Sequence, residues 1–347
     1  MIRVVVAEDS DTTRALLVAL FASDPEFQVV GEAKDGRSAI ELTRALRPDL
    51  VTMDVRMPEL DGLEATRQIM VENPTPIVVV SATLGSDDVA ASMRAIRAGA
   101  LTALGKPCGP SSPDFESGRD RFLSTMRSMA QVKVVGHRLR SLNLSQRPTR
   151  NGVHAHKVGV VGLAASTGGP GALRSVLDAL PYDFPVPVLV VQHLSPGFLP
   201  GFADWLGASC RLRVKVAREG DLVARGTVYI APEDRHLAIS PTGYVRALAD
   251  PAVEGFRPSA SVLFESIANV YGSGACAAIL TGMGRDGVHG LRRIRALGGR
   301  IIAQDEQTCS VFGMPAAAIE AGLADYVLPI SLVSAKLVEM VGQELRE

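Results

Sequence analysis

Leu50-Val51-Thr52-Met53-Asp54-Val55-Arg56-Met57-Pro58 is the stretch whose reading decides the fold. A short apolar run ends directly on a carboxylate. The pattern recurs outward from there: Val4-Val5-Val6-Ala7 runs into Glu8-Asp9, Ile77–Val80 into Ser81, and Leu101–Leu104 stops just before Lys106. With Val29–Gly31 these make five short apolar runs, alternating with longer helical stretches over residues 1 to about 125. Strands that alternate with helices predict a parallel sheet covered on both faces. Such sheets bind ligands beyond the carboxyl ends of their strands. If the strands ending at Ala7 and Met53 are neighbours, Glu8, Asp9 and Asp54 converge at one edge. Three like charges in one place call for a cation, and hard oxygen ligands with room for water suit Mg²⁺. A hydroxyl from Ser81 and an ammonium from Lys106 at the same edge are what a phosphoryl group on Asp54 needs. Taken singly, each residue has a plainer reading, because strand-end acids often cap the next helix. Five matches at successive strand ends are hard to explain by capping.

A second alternation begins at Lys157, with apolar runs Val158–Ala164, Val186–Gln192, Val228–Ala231, Cys276–Leu280 and Gly299–Ala303. Helical patterns fall at Gly171–Leu180 and Arg257–Tyr271. The expected fold class is therefore α/β, with two doubly wound parallel-sheet domains. The first is flavodoxin-like, and the second is a Rossmann-like three-layer domain. The expected division is 1–125, a linker at 126–153, and 154–347. The linker is read from charge. Lys133, Arg138, Arg140, Arg147 and Arg150 stand in 128–150 without an acid, whereas residues through Arg127 carry 14 basic and 19 acidic residues. This strip is either plainly solvated or touches the acidic first domain.

The second domain carries hydrolase-type features. Ser166 follows the strand Val158–Ala164 and stands before Thr167-Gly168-Gly169-Pro170, where a helix begins. Glycines there turn the backbone sharply and leave amides outward, a place for an oxyanion. Alone, Ser166 reads equally as a helix cap. His193, after Val186–Gln192, supplies a base of suitable pKa at the same kind of edge. Asp286, in the glycine loop Thr281-Gly282-Met283-Gly284-Arg285-Asp286-Gly287, would hold the imidazole tautomer. His137, His154, His156, His236 and His289 are read as ordinary linker, loop or helix histidines. The same loop is also a literal GxGxxG at Gly282, Gly284 and Gly287, with Asp305 and Glu306 about 20 residues on, so a dinucleotide site is a rival. It ranks lower because only about 60 residues follow it and it leaves Ser166 and His193 without a role.

Composition narrows the classes. The 347 residues carry 36 Lys plus Arg against 37 Asp plus Glu, for a formal charge of −1. A general nucleic-acid binder would be basic, and 5% aromatics leave little for base stacking. No run of about 18 apolar residues suggests membrane insertion. The opening Met1-Ile2-Arg3-Val4 lacks a signal-peptide pattern, and a cytoplasmic location is expected. Cys108, Cys210, Cys276 and Cys309 form no CxxC, which fits a reducing compartment. Cys108 is expected to be a buried, inert thiol.

Over nearly its whole length the first domain resembles a response-regulator receiver domain. The matching text is Ala7-Glu8-Asp9-Ser10, Met53-Asp54-Val55-Arg56-Met57-Pro58, Asp61-Gly62, Ser81-Ala82 and Gly105-Lys106-Pro107. The resemblance implies Asp54 as phosphoacceptor, Ser81 and Lys106 on the phosphoryl group, and Glu8, Asp9 and Asp54 around Mg²⁺. One position departs: the aromatic that many receivers carry three residues before the lysine is Ala103 here.

The second domain resembles the catalytic domain of the chemotaxis response regulator protein-glutamate methylesterases. The matches are Ala165-Ser166-Thr167-Gly168-Gly169-Pro170, Gln192-His193, Val228-Tyr229-Ile230-Ala231-Pro232, Arg257-Pro258-Ser259 and Leu280 through Gly287. A receiver, a linker and this domain make up that family's architecture. The resemblance implies a triad of Ser166, His193 and Asp286, with Thr167 and the backbone of Met283 positioning or stabilising the oxyanion. It implies hydrolysis of glutamate γ-methyl esters on methylated chemoreceptors, with methanol released and no cofactor for that step. It also implies deamidation of receptor glutamines by the same chemistry, and a histidine kinase as phosphodonor. The regulatory expectation is that the unphosphorylated receiver covers the Ser166 edge and that phosphorylation at Asp54 opens it. The alternatives are an esterase for a non-chemotaxis signalling protein, a dinucleotide-binding enzyme, and a phospho-switch that only binds partners.

Overall fold

The structure is a computed structural model, and it describes residues 1–81, 86–112, 115–132, 134 and 158–342. The chain divides into two compact units, Met1–Asn143 and Leu144–Glu347.

In the first unit, β1 (Ile2–Ala7), β2 (Phe27–Ala33), β3 (Leu50–Met53), β4 (Ile77–Ser81) and β5 (Thr102–Gly105) alternate with α1 (Asp11–Ala22), α2 (Gly36–Leu46), α3 (Gly62–Glu72), α4 (Ser86–Ala98) and α5 (Phe115–Ala130). All neighbouring strands are parallel, in the order β2-β1-β3-β4-β5. β3 and β4 are buried at every residue, as strands covered on both faces must be. Three helices start on side-chain caps: Ser10 accepts from Thr13 N, Asp35 from Ser38 N, and Asp61 from Glu64 N. The chain leaves β1 toward β2 on one side and returns to β3 on the other. β1 and β3 are therefore neighbours across a topological switch point, and Glu8, Asp9 and Asp54 emerge there. α5 runs past the expected boundary at 125, because Met126 and Met129 are buried in the unit's core. The linker's Lys133, Arg138, Arg140, Arg147 and Arg150 lie outside the described residues.

The second unit has seven parallel strands in the order β14-β13-β12-β6-β7-β9-β8. They are β6 (Val160–Ala165), β7 (Val188–Gln192), β8 (Arg213–Val216), β9 (Thr227–Ile230), β12 (Ala275–Ile279), β13 (Arg300–Gln304) and β14 (Tyr326–Leu328). A separate antiparallel pair, β10 (His236–Ile239) and β11 (Val245–Leu248), stands beside it. The helices are α6 (Gly169–Leu177), α7 (Leu199–Gly207), α8 (Ala260–Tyr271), α9 (Val288–Ala296), α10 (Met314–Glu320) and α11 (Ile330–Gly342). Val160 and Ala164 pack in one cluster with Phe264 and Ile267 of α8. The alternate residues Val161 and Leu163 are equally buried, so the other face is covered too. β6 lies between β7 and β12. The loops carrying Ser166, His193 and Asp286 therefore leave three adjacent strands at one edge of the sheet.

Two further sequence expectations change. The helix read from Arg257 begins at Ala260, where Ser259 caps it and its hydroxyl accepts from Ser261 N. His236 is not in a loop or helix; it opens β10 and is buried.

Candidate catalytic and phosphoacceptor sites

Ser166 is the first residue beyond β6, and its backbone is held from three sides. Its N–H donates to Thr281 O (3.0 Å), and its carbonyl accepts from Gly169 N and from Gln192 Nε2, both at 2.8 Å. Gln192 Nε2 also donates to His193 O (2.9 Å), so one buried amide ties the ends of β6 and β7 together. The His193 N–H continues the ladder to Ala165 O (3.1 Å). Serine and histidine thus emerge one step past a paired register on neighbouring strands, about 5 Å apart at the backbone. Gly282 is required by crowding. A Cβ there would lie 2.7 Å from Ser166 Cβ and 2.5 Å from Met314 Sδ.

Asp286 is fully buried and its four acceptor sites are filled. Oδ1 accepts from Ser259 Oγ (2.7 Å) and Ser261 N (3.1 Å), and Oδ2 from Ala260 N (2.7 Å) and His193 Nε2 (2.9 Å). Burial pushes this carboxyl up. The hydrogen bond and charge of His193, with the Ser259 hydroxyl and the Ala260 amide, outweigh it and hold the group below its ordinary value. Two of these donors are first-turn amides of α8, whose dipole also favours the anion. An ionised carboxylate only accepts, so His193 Nε2 must carry the proton toward it. In the neutral ring Nδ1 is then the acceptor. That atom is buried and has no hydrogen-bond partner among the described residues. Its lone pair is available to accept a proton. Phe256 lies flat against the same ring, with centroids 4.1 Å apart and planes 10° apart.

Thr167 and Met283 flank the serine. Thr281 Oγ1 donates to Thr167 O (2.9 Å) and accepts from Val311 N (2.9 Å), which joins the two loops. Met283 is 39% exposed. The GxGxxG loop is spent on this site. Gly282 makes room for Ser166, Asp286 holds His193, and Asp305 accepts from Thr308 N and Oγ1 within its own turn.

At the first unit's switch point, the carboxylate oxygens of Glu8, Asp9 and Asp54 lie within 4.8 Å of one another; Glu8 and Asp54 are buried and Asp9 is exposed. Lys106 Nζ lies 2.7 Å from Asp54 Oδ2 and 2.7 Å from Glu8 Oε2. Burial alone would lower the lysine, but hydrogen bonds and charge from Asp54 and Glu8 raise it overall. Burial likewise raises Glu8, with Asp54 adding to it and Lys106 opposing. Three carboxylates against one ammonium leave two negative charges among hard oxygen donors, which fits a divalent cation such as Mg²⁺. Ser81 is buried at the end of β4, where its carbonyl accepts from Lys106 N (2.9 Å). Gly62 allows the loop after Asp54 to close, since a Cβ there would lie 1.8 Å from Asp54 O. Cys108 is exposed rather than buried, because it follows the end of β5 in an open loop. Buried Cys276 and half-buried Cys309 are pushed up to about 12, chiefly by burial.

Residues 161–337 match the family described as CheB methylesterase, and residues 4–112 match the response regulator receiver domain. The chain belongs to the CheB methylesterase family. A relative from Myxococcus xanthus, named protein-glutamate methylesterase/protein-glutamine glutaminase 4, is 50% identical over 97% of this chain and 96% of its own. One from Anaeromyxobacter dehalogenans with the same name and the number 3 is 48% identical over 97% and 98%. Among solved structures, the Thermotoga maritima CheB methylesterase catalytic domain aligns over 54% of this chain and 100% of its own, with 41% identity and a TM-score of 0.52. Membership displaces the dinucleotide-enzyme and binding-only readings. Within this CheB-type site, sequence reading did not assign roles to Ser259, Gln192, Thr281 or Phe256. Ser259, Gln192 and Thr281 lie within the motifs that carry the family resemblance, which was the available signal; nothing local marked Phe256.

Proposed function

We propose that this chain is a cytoplasmic, phosphorylation-controlled protein-glutamate methylesterase that also deamidates glutamine. Its substrates are methylated chemoreceptors, and a histidine kinase is its phosphodonor. Ser166 Oγ attacks the γ-carbonyl of the methyl ester. His193 Nδ1 takes the serine proton and returns it to the departing methanol. Asp286 fixes the ring through Nε2 and stabilises the imidazolium that forms. Thr167 and the Met283 backbone face the developing oxyanion. Water, deprotonated by the same imidazole, cleaves the acyl-serine and leaves a glutamate carboxylate. Ammonia takes the place of methanol when a glutamine is the substrate. The observation that carries this reading is the His193–Asp286 pair with Nδ1 left unpartnered, one strand from Ser166.

In the receiver, Asp54 accepts the phosphoryl group, and Ser81 and Lys106 contact its oxygens. Glu8, Asp9 and Asp54 would hold Mg²⁺, which when bound neutralises charge between the acceptor and the phosphoryl oxygens. Lys106 already sits on Asp54 and is placed to follow the new charge.

The test is methanol release from methylated receptor membranes, with and without a small phosphodonor and Mg²⁺. Wild type, Ser166→Ala and Asp54→Ala run side by side. Release is expected to need Ser166 and to rise with phosphodonor only when Asp54 is present. No release from a folded wild type phosphorylated at Asp54 would overturn the substrate. Release from Ser166→Ala would overturn the mechanism.

A further inference from the structure

Asp286 restrains His193 at one atom, Nε2. A single hydrogen bond leaves the ring plane free to turn, since the second side-chain torsion of histidine is broad. The chain from Val253 to Ser259 supplies the missing restraint. Val253 and Phe256 exchange backbone hydrogen bonds of 2.9 and 3.1 Å. The two residues between them, Glu254 and Gly255, both have positive φ, 52° and 85°. That is the signature of a type I′ turn, whose twist suits a two-residue hairpin. Arg257 then anchors the segment. Its Nε and Nη2 donate to Asp234 Oδ1 at 2.8 and 2.6 Å, and its Nη1 to Asp250 O at 3.2 Å. Two residues on, Ser259 holds Asp286. One anchored segment therefore bears both the ring that lies on His193 and a clamp on its carboxylate.

We propose that Phe256 is a positioning residue for ester hydrolysis: its stacked ring fixes the imidazole plane so that Nδ1 addresses Ser166, and its face stabilises the positive charge the imidazole gains. This rests on the proposed function above. The face of an aromatic ring carries the negative part of its quadrupole and attracts a cation. A leucine fills similar space but offers neither a flat guide nor that quadrupole.

The test compares the full chain with Phe256→Leu and Phe256→Tyr. Three quantities are read: the rate of Ser166 phosphonylation by a fluorophosphonate probe, kcat and KM for methyl-ester hydrolysis, and the thermal midpoint. Phe256→Leu is expected to lower phosphonylation and kcat roughly 3- to 30-fold. KM is expected to stay within about twofold, because ground-state binding is not what the ring supplies. Phe256→Tyr, which keeps the stack, is expected to retain most of both rates. If the leucine variant does not fold, Phe256→Met takes its place. Wild-type rates in Phe256→Leu, equal losses in both variants, or a loss confined to KM would each overturn the proposal. If the ester is not hydrolysed at all, phosphonylation still reads the Ser166–His193 pair. A fall there in Phe256→Leu alone would then support the stack while the substrate assignment fails.

Discussion

Replacing Asp286 by asparagine keeps the side chain's shape and exchanges one acceptor for a donor. Ser261 N–H points at Oδ1 from 3.1 Å and Ala260 N–H at Oδ2 from 2.7 Å. Whichever way the amide turns, its NH₂ meets one of these fixed donors. The shorter contact decides: the NH₂ turns toward Ser261, and the Ser259 hydroxyl rotates to accept from it. The remaining oxygen still accepts from His193 Nε2, so the ring keeps its tautomer but loses the anion behind it. The Ser261 N–H keeps its 3.1 Å bond to Ser259 Oγ but now faces a second donor, and the site is 0% exposed, so water does not relieve that donor–donor contact. That costs about 1–3 kcal/mol of stability, or a fall of roughly 2–12 °C in the transition of a unit this size. The wild-type carboxyl is held below its ordinary 3.8. Its stabilisation is therefore complete at neutral pH and is lost as the pH drops through that lowered value. The gap in melting temperature between the two proteins should narrow below about pH 4. For catalysis, a charge-assisted hydrogen bond of about 1.5–3 kcal/mol is replaced by a neutral one. The difference of about 1–1.5 kcal/mol predicts a loss of roughly 5- to 13-fold in kcat. A serine protease in which the same exchange inverts the tautomer loses on the order of 10⁴. Methanol release gives kcat, and nitrogen-15 spectra of the imidazole give the tautomer. A wild-type rate, or a 10⁴-fold loss with the proton found on Nδ1, would refute the reasoning.

Lys106→Ala removes the cation shared by Glu8 and Asp54 and should cost the receiver about 3 kcal/mol; Mg²⁺ should restore more of its thermal midpoint than it adds to wild type. Gly62→Ala places a methyl against the Asp54 carbonyl and should destabilise the receiver by about 3 kcal/mol, read by urea titration. Gly282→Ala pushes on Ser166 and Met314 and should lower the phosphonylation rate of Ser166 by on the order of 10²-fold, since small misplacements of a nucleophile are costly. An unchanged rate would mean that the loop yields without moving the serine.

The alternation of apolar runs with helices was legible because strands buried on both faces are almost wholly apolar, as Val160–Ala165 is and as Leu50–Met53 is apart from Thr52. Residues at the ends of such runs were legible as site candidates for the same reason: a parallel sheet presents one functional edge. Edge strands escaped that logic. Arg213–Val216 and Tyr326–Leu328 are only partly buried, so their composition does not mark them. His236 was read as ordinary because local sequence does not show that its Nδ1 accepts from Ser259 N, 23 residues away. Strand order was decided only in three dimensions. Chain order puts β12 far from β6, and pairing across the switch point brings Asp286 to the edge that holds Ser166 and His193. The tautomer of His193, the filling of both Asp286 oxygens from the start of α8, and the ring of Phe256 on the imidazole are long-range contacts. The sequence by itself determined which residue types reach the edge, because burial dictates the runs they terminate. Only the tertiary structure decided which atoms face each other, because that depends on strand order and on side chains from segments that share no local pattern.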